Sequence, residues 1–154
     1  MTIRFFPVAA AVLACAAPAY ALQASVAPSF GLAEAEAMAK RAQLAASEKK
    51  LDVAIVVVNR EGRVILAHRM DKSSFVNLAL AEKKAVTAAA TGVPTSLLEK
   101  AVDAGKASLL SVPEIAMVGG AVPVLRGDAV VGAVGVSGGS PEDDETIAKT
   151  ATGN

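Results

Sequence analysis

Apolar residues recur at spacings of three and four positions from Leu32 onwards, with charged residues mostly between them. This period predicts an amphipathic first helix. The apolar run Val53–Val58 is β-branched apart from one alanine, which predicts a short strand covered on both faces. A turn that contains Gly62 leads to Val64–Arg69, which predicts a second strand in a hairpin with the first.

Two helices are predicted between this hairpin and the rest of the sheet. A stretch rich in Ala and Leu, capped by Ser73 or Ser74, predicts a helix that ends near Ala90, before a glycine and a proline. Leu97–Ala104 predicts a shorter third helix. Glu99 is placed for a capping box if the serine three residues before it is the cap.

Three strands and a final helix complete the pattern. The strands are predicted at Ile115–Val118, Val122–Leu125 and Ala129–Ser137. A serine cap, a proline and acidic residues predict a helix from Pro141 to about Thr152. The order α-β-β-α-α-β-β-β-α, with hairpin-length links, predicts the α/β class. We expect a three-layer α/β/α sandwich around a five-stranded, mainly antiparallel sheet.

The N-terminal end has the pattern of a secretory signal peptide. A single arginine precedes an apolar stretch, and Ala19-Tyr20-Ala21 matches the small-x-small pattern that signal peptidase accepts. We therefore predict a signal peptide at 1–21, a flexible lead-in at 22–31 and a single domain at 32–154. The expected location is the periplasm or the exterior of the cell.

Two alternatives exist for the same N-terminal segment. A membrane helix is disfavoured by Pro7 and Pro18, so no stable membrane insertion is expected. Lipidation at Cys15 would instead make the protein a lipoprotein. Cleavage after the signal peptide would remove the only cysteine, which excludes a disulfide or cysteine chemistry in the mature domain.

The charge balance limits the range of partners. Fifteen basic residues balance fifteen acidic ones, so the formal net charge is zero and no nucleic acid partner is expected. With 53% hydrophobic residues, extended disorder is excluded as well.

Three motifs, in this order, resemble a known family. They are Gly62–Asp71 (GRVILAHRMD), Lys84–Ala88 (KAVTA), and the glycine-rich pair Gly119–Val124 (GGAVPV) and Gly132–Gly139 (GAVGVSGG). The chain is similar to the GlcG/HbpS-like haem-binding (haem-degrading) family, which also includes the C-terminal domain of PduO-type proteins. The resemblance covers about residues 32–148. It implies a five-stranded antiparallel sheet between helices, a homo-oligomer, and haem as a possible cofactor.

The chain departs from the family pattern at two places. Ala121 stands where a glycine commonly follows the glycine pair, and Lys72-Ser73 stands where the family usually has Gly-Ala. Both departures put larger side chains beside the expected site.

His68 is the only histidine, so imidazole chemistry must use it. Strand alternation places His68 and Met70 on one face and Arg69 on the other. His68 is either a half-buried histidine held by a neighbour or an axial ligand to haem iron, with Met70 or Met117 as a second ligand. Phe30 and Phe75 are the only aromatic residues left in the mature chain to line a porphyrin pocket.

A polar stripe on the second helix is the other candidate. Asn77, Lys84, Thr87 and Thr91 lie near one line by the helical period. Lys84 either meets a ligand carboxylate, such as a haem propionate or a small organic acid, or lies on a solvated helix face.

Glycine loops and acidic residues supply the remaining candidates. Backbone N–H groups of the two glycine-rich loops suit an anionic group, although turn geometry alone also explains the glycines. Glu142 and Glu145 share a helical face, and the resemblance to the HbpS branch, where such pairs are associated with iron binding, makes them a weak candidate metal site. Alternatively, they complement the helix dipole. The predicted ligand-binding residues are His68, Arg69, Met70, Asp71, Asn77, Lys84, Thr87, Gly119, Gly120, Ser137, Gly138 and Gly139.

Three functions are compatible with this pattern. The first is an exported, oligomeric protein that binds haem or a related tetrapyrrole. The second is an enzyme or accessory protein that acts on a small hydroxy or keto acid such as glycolate. The third is an assembly protein without a ligand. No catalytic residue is assigned.

Overall fold

The computed structural model describes residues 30–153. The predicted signal peptide at 1–21, the alternative lipidation site Cys15 and most of the predicted lead-in lie outside the described residues. The helices are α1 (Leu32–Glu48), α2 (Phe75–Thr91), α3 (Thr95–Asp103) and α4 (Pro141–Thr152), and a 3-10 helix spans Ala107–Ser111. The strands are β1 (Ala54–Asn59), β2 (Val64–Arg69), β3 (Ala121–Arg126) and β4 (Ala129–Ser137).

The four strands form one antiparallel sheet in the order β2-β1-β4-β3. One face, which includes Ile55 and Val136, packs against α1 and α4. The other face, which includes Val56 and Ala133, packs against alanines of α2. The three-layer arrangement therefore follows the prediction, because every central strand is apolar on both faces.

The prediction of five strands is wrong, since the described chain has four. The segment predicted as a strand, Ile115–Val118, lies in an irregular connection. Its Ala116 N–H donates to Thr87 Oγ1 at 2.9 Å, and the N–H of Gly119 just after it donates to Glu99 Oε2 at 3.0 Å. Side chains of α2 and α3 thus accept the backbone N–H hydrogen bonds that pairing with a neighbouring strand would have required. Glu99 accordingly does not form the expected capping box, and the residue before α3 is Pro94.

Small residues let α2 lie unusually close to the sheet. A Cβ atom at Gly135 would overlap Ala81 O and lie 2.8 Å from Ala85 N. On the opposite face, a Cβ atom at Gly132 would lie 2.5 Å from a ring carbon of Phe30, which is itself buried. Phe30, at the end of the predicted lead-in, is therefore a core residue and does not line a ligand pocket.

Among residues 30–153, no helix has the length and apolar character needed to cross a membrane.

Candidate functional site

One end of the sheet collects most of the predicted site residues. Ala54 at the start of β1 pairs with Arg69 at the end of β2 and with Ser137 at the end of β4. β3 also begins at this end, where Ala121 pairs with Gly135. The helices α2 and α4 start a few residues after β2 and β4, so their N-terminal turns meet the strand ends.

Lys84 is buried at this end and forms an ion pair with Asp144. The Lys84 Nζ atom lies 2.9 Å from Asp144 Oδ2, and it also donates to Val136 O at 3.1 Å. Both side chains are only 2% exposed. The interpretation of Lys84 as part of a solvated helix face is therefore wrong. Buried charges persist only when they are paired and hydrogen-bonded, and this pair meets both conditions.

Two glycines make room for the pair. Gly139 N–H donates to the second carboxylate oxygen, Asp144 Oδ1, at 2.8 Å. Gly120 has a φ of +124°, and a Cβ atom there would lie 2.6 Å from Lys84 Nζ. The glycines of these loops therefore leave the space that the ion pair occupies, since a side chain at Gly120 would displace the ammonium group.

A pocket of about 210 Å³ opens beside the ion pair, and we call it the ion-pair pocket. It is lined by Asn77, Leu80, Lys84, Val118, Ser137, Gly138, Gly139, Pro141 and Asp144. Five of these nine residues, Asn77, Lys84, Ser137, Gly138 and Gly139, belong to the set predicted from the sequence. The chain therefore brings Asn77 and Lys84 of the helix stripe and the second glycine loop into one site, while Thr87 and Thr91 of the stripe lie outside it.

The ion-pair pocket holds polar groups with unused hydrogen-bonding capacity. An ammonium group has three N–H donors, and Lys84 uses two of them within the described chain. Ser137 is 3% exposed, and its hydroxyl has no hydrogen-bond partner in residues 30–153. A ligand that accepts hydrogen bonds, such as a carboxylate, matches this pair of donors.

Thr87 and Gly119 do not line the ion-pair pocket. The Thr87 hydroxyl donates to Lys83 O at 2.8 Å while it accepts the bond from Ala116 N–H. Gly119 has its N–H bound to Glu99, as described above. Both residues hold the connection before β3 in place, so their predicted role as direct ligand contacts is not supported by this geometry.

His68 and Met70 lie on the other side of the sheet from Lys84. His68 pairs with Ile55, so it faces the α1 and α4 layer, and Met70 packs at the edge of the same core. His68 is half-buried, and its ring makes no hydrogen bond within the described residues. The interpretation of His68 as a histidine held by a polar neighbour is therefore not supported, since no such neighbour bonds its ring within the described residues.

The loop after β2 is held by Arg69. The Arg69 guanidinium donates to Ser73 O, and Asn77 Nδ2 donates to Ser73 Oγ at 3.2 Å. Asp71 is exposed, and Phe75 at the start of α2 is 84% exposed. Met117 is half-buried in the connection before β3.

The acidic residues at the start of α4 have separate roles. Asp143 pairs with Lys49 at 2.8 Å, and hydrogen bonds from Lys49 and Ser140 lower its pKa. Asp144 belongs to the ion pair, Glu142 is exposed, and Glu145 points to a groove between α3 and α4. Within residues 30–153, no group of three or more His, Cys, Asp or Glu side chains could hold a metal ion.

Asp144 is the main site residue that the sequence analysis missed. It lies three, four and seven positions before Ile147, Ala148 and Ala151, all of which are buried on α4. The same helical spacing that marks the apolar face would have placed this acid inside the protein. Leu80, Val118 and Pro141 of the pocket wall carry no chemical signal in the sequence.

Proteins similar to this chain align with most of its length. A family model described as "Haem degrading protein HbpS-like" matches residues 30–152. An uncharacterised 15.0 kDa protein from the dhaT-dhaS intergenic region of Citrobacter freundii is 35% identical over 124 residues. That alignment covers 78% of this chain and 87% of the Citrobacter protein.

Two solved structures share the fold. The crystal structure of HbpS has a TM-score of 0.77 at 30% identity and covers 82% of this chain and 90% of that chain. The crystal structure of a PduOC:haem complex has a TM-score of 0.73 at 28% identity and covers 81% of this chain and 94% of that chain. Sequence and fold therefore agree over nearly the whole described region.

Proposed function

Because the chain belongs to the HbpS-like family, we propose that it binds haem or a related tetrapyrrole at the ion-pair pocket. The observation that carries the proposal is the solved haem complex of a chain with the same fold, at 28% identity. The unused donors of Lys84 and Ser137 support it, because haem carries two propionate groups that accept hydrogen bonds.

The size of the pocket limits what it can enclose. Its volume of about 210 Å³ is below the roughly 300–1,000 Å³ that surrounds a drug-sized ligand. In this proposal the pocket would receive one propionate, because a pocket of this size cannot enclose the macrocycle. Val76, one helical turn before Leu80 of the pocket wall, is 56% exposed and would offer apolar surface to the macrocycle.

Haem binding predicts saturable binding of haemin with a change in its absorption spectrum. Ser137→Ala should weaken this binding by about tenfold or more, since it removes one hydrogen bond to a charged group worth about 1.5–3 kcal/mol. Ser108→Ala, on the exposed 3-10 helix, is the matched control and should bind as the original protein does. Haemin that binds without saturation, or equally well to both variants, would contradict the proposed site.

His68 is a separate element of the proposal, because it lies on the other face of the sheet. Bound haem would supply an iron centre, and His68 is the only histidine available to ligate it. Haem in the ion-pair pocket would lie on the opposite face of the sheet from His68, so we expect His68→Ala to leave the spectrum of the haemin complex unchanged and to change the free energy of unfolding by less than about 1 kcal/mol. A shifted spectrum would make His68 the iron ligand and would contradict haem binding at the ion-pair pocket of the same chain.

A small organic acid is the second candidate ligand. The small pocket and its hydrogen-bond donors favour a compact carboxylate as much as they favour a propionate. A haemin titration and a glycolate titration of the same protein distinguish these two candidate ligands. A thermal shift with glycolate alone, in a protein that does not bind haemin, would support the small-acid function instead.

Export and self-association belong to the same proposal. The signal-peptide pattern at 1–21 supports export. Exposed apolar side chains around the 3-10 helix support a homo-oligomer, namely Leu110 and Val112.

A further inference from the structure

Arg69 offers hydrogen-bond donors on the same face of the sheet as the ion-pair pocket. Ala54 of β1 pairs with Arg69 in β2 and with Ser137 in β4. Residues that lie opposite each other in neighbouring strands point to the same face, so Arg69 and Ser137 both face the α2 layer, in which Ala54 is buried. Two strand spacings separate them, which places their Cα atoms about 10 Å apart.

The Arg69 guanidinium is held in place but keeps free donors. One of its Nη atoms donates to Ser73 O, and Ser73 Oγ accepts from Asn77 Nδ2 at 3.2 Å. Asn77 lines the ion-pair pocket, so a short chain of hydrogen bonds connects Arg69 to the pocket wall. Arg69 is exposed and forms no ion pair within residues 30–153. A guanidinium group has five N–H donors, so most of these donors are available to a ligand.

The charges around the β2–α2 loop favour an anion at Arg69. Asp71 and Lys72 are both exposed, and their opposite charges offset each other. The Lys84–Asp144 pair is neutral as a unit. Among these five residues, Arg69 therefore supplies the net positive charge. A guanidinium group binds a carboxylate through two parallel hydrogen bonds, which makes a carboxylate the best-matched ligand group for Arg69.

We propose that Arg69 is a second carboxylate anchor, so that the site selects ligands with two carboxylates over ligands with one. This inference rests on the proposed function, in which the ion-pair pocket receives one propionate of a tetrapyrrole. The two propionates of haem leave the same edge of the macrocycle, so the second stays near the first but outside the small pocket. The long side chain of Arg69, whose Cα lies about 10 Å from that of Ser137, can reach it. A monocarboxylate such as glycolate would leave Arg69 unused.

The test compares haemin with haemin monomethyl ester, which keeps one free carboxylate, in absorption titrations of the full chain. The original protein should bind haemin about tenfold or more tightly than the monoester, because only haemin satisfies both anchors. Arg69→Gln should weaken haemin binding to the level of the monoester and leave the affinity for the monoester unchanged. Arg69→Lys keeps the charge and should recover part of the loss. Arg63→Gln, which replaces an exposed arginine just before the other end of β2, is the matched control.

A purely structural role for Arg69 gives a different result. If Arg69 only holds Ser73 and the loop, Arg69→Gln weakens binding of haemin and of the monoester by the same factor, and the original protein binds both ligands equally well. Either result would overturn the second anchor and leave haem binding at the ion-pair pocket intact. The comparison of the two ligands on the original protein decides even if Arg69→Gln does not fold. Haemin that binds the original protein without saturation would overturn the proposed function, and the second anchor with it.

Discussion

Lys84→Met is expected to lower the free energy of unfolding by about 3–5 kcal/mol, because it leaves the Asp144 carboxylate buried without its counter-charge. The two side chains are each 2% exposed, and the Lys84 Nζ to Asp144 Oδ2 distance is 2.9 Å. Methionine preserves most of the aliphatic stem, so the loss reports the charge rather than the packing. Unfolding in urea, followed by circular dichroism, measures this difference.

Two comparison variants isolate the ion pair. Lys83→Met changes the exposed neighbour on the same helix and should alter stability by less than about 0.5 kcal/mol. The double variant Lys84→Met with Asp144→Leu should recover much of the loss, since an apolar pair often replaces a buried ion pair at little cost. If Lys84→Met proves as stable as Lys83→Met, the pair is not buried as described.

Gly135→Ala is expected to destabilise the fold by about 3 kcal/mol or more, through overpacking between β4 and α2. The added Cβ atom would overlap Ala81 O and lie 2.8 Å from Ala85 N. These are backbone atoms of a helix, which cannot move aside as a flexible side chain can. Because Lys84 lies on the same helix, a displaced α2 should also disturb the ion-pair pocket.

Gly127→Ala is the matched control for this prediction. Gly127 has a φ of +61°, and no atom of a neighbouring element lies within 4 Å of the position that an added methyl group would take. Alanine there therefore meets backbone strain alone, and the expected loss is about 1–2 kcal/mol. Equal losses in the two variants, measured by thermal or urea unfolding, would contradict the close approach of α2 to the sheet.

The sequence by itself determined the elements whose signals are local. Helical spacing of apolar residues predicted α1, and the hairpin turn and alternation predicted β2 with its observed bounds, Val64–Arg69. The Ser140 cap predicted the start of α4, where Ser140 Oγ accepts from Asp143 N–H at 3.1 Å. Each of these signals depends on residues a few positions apart, so a single chain is enough to carry them.

Only the tertiary structure decided how distant residues share hydrogen bonds. Ile115–Val118 has the composition of a strand. However, its Ala116 N–H donates to Thr87, which is 29 positions away in the chain, so this group is not available to pair with a neighbouring strand. Lys84 and Asp144 are 60 positions apart, so neither spacing nor composition shows that each satisfies the other's charge. His68 and Lys84 both carry suitable chemistry, yet the sheet puts them on opposite faces, because pairing between strands and not local sequence sets which side faces which helix.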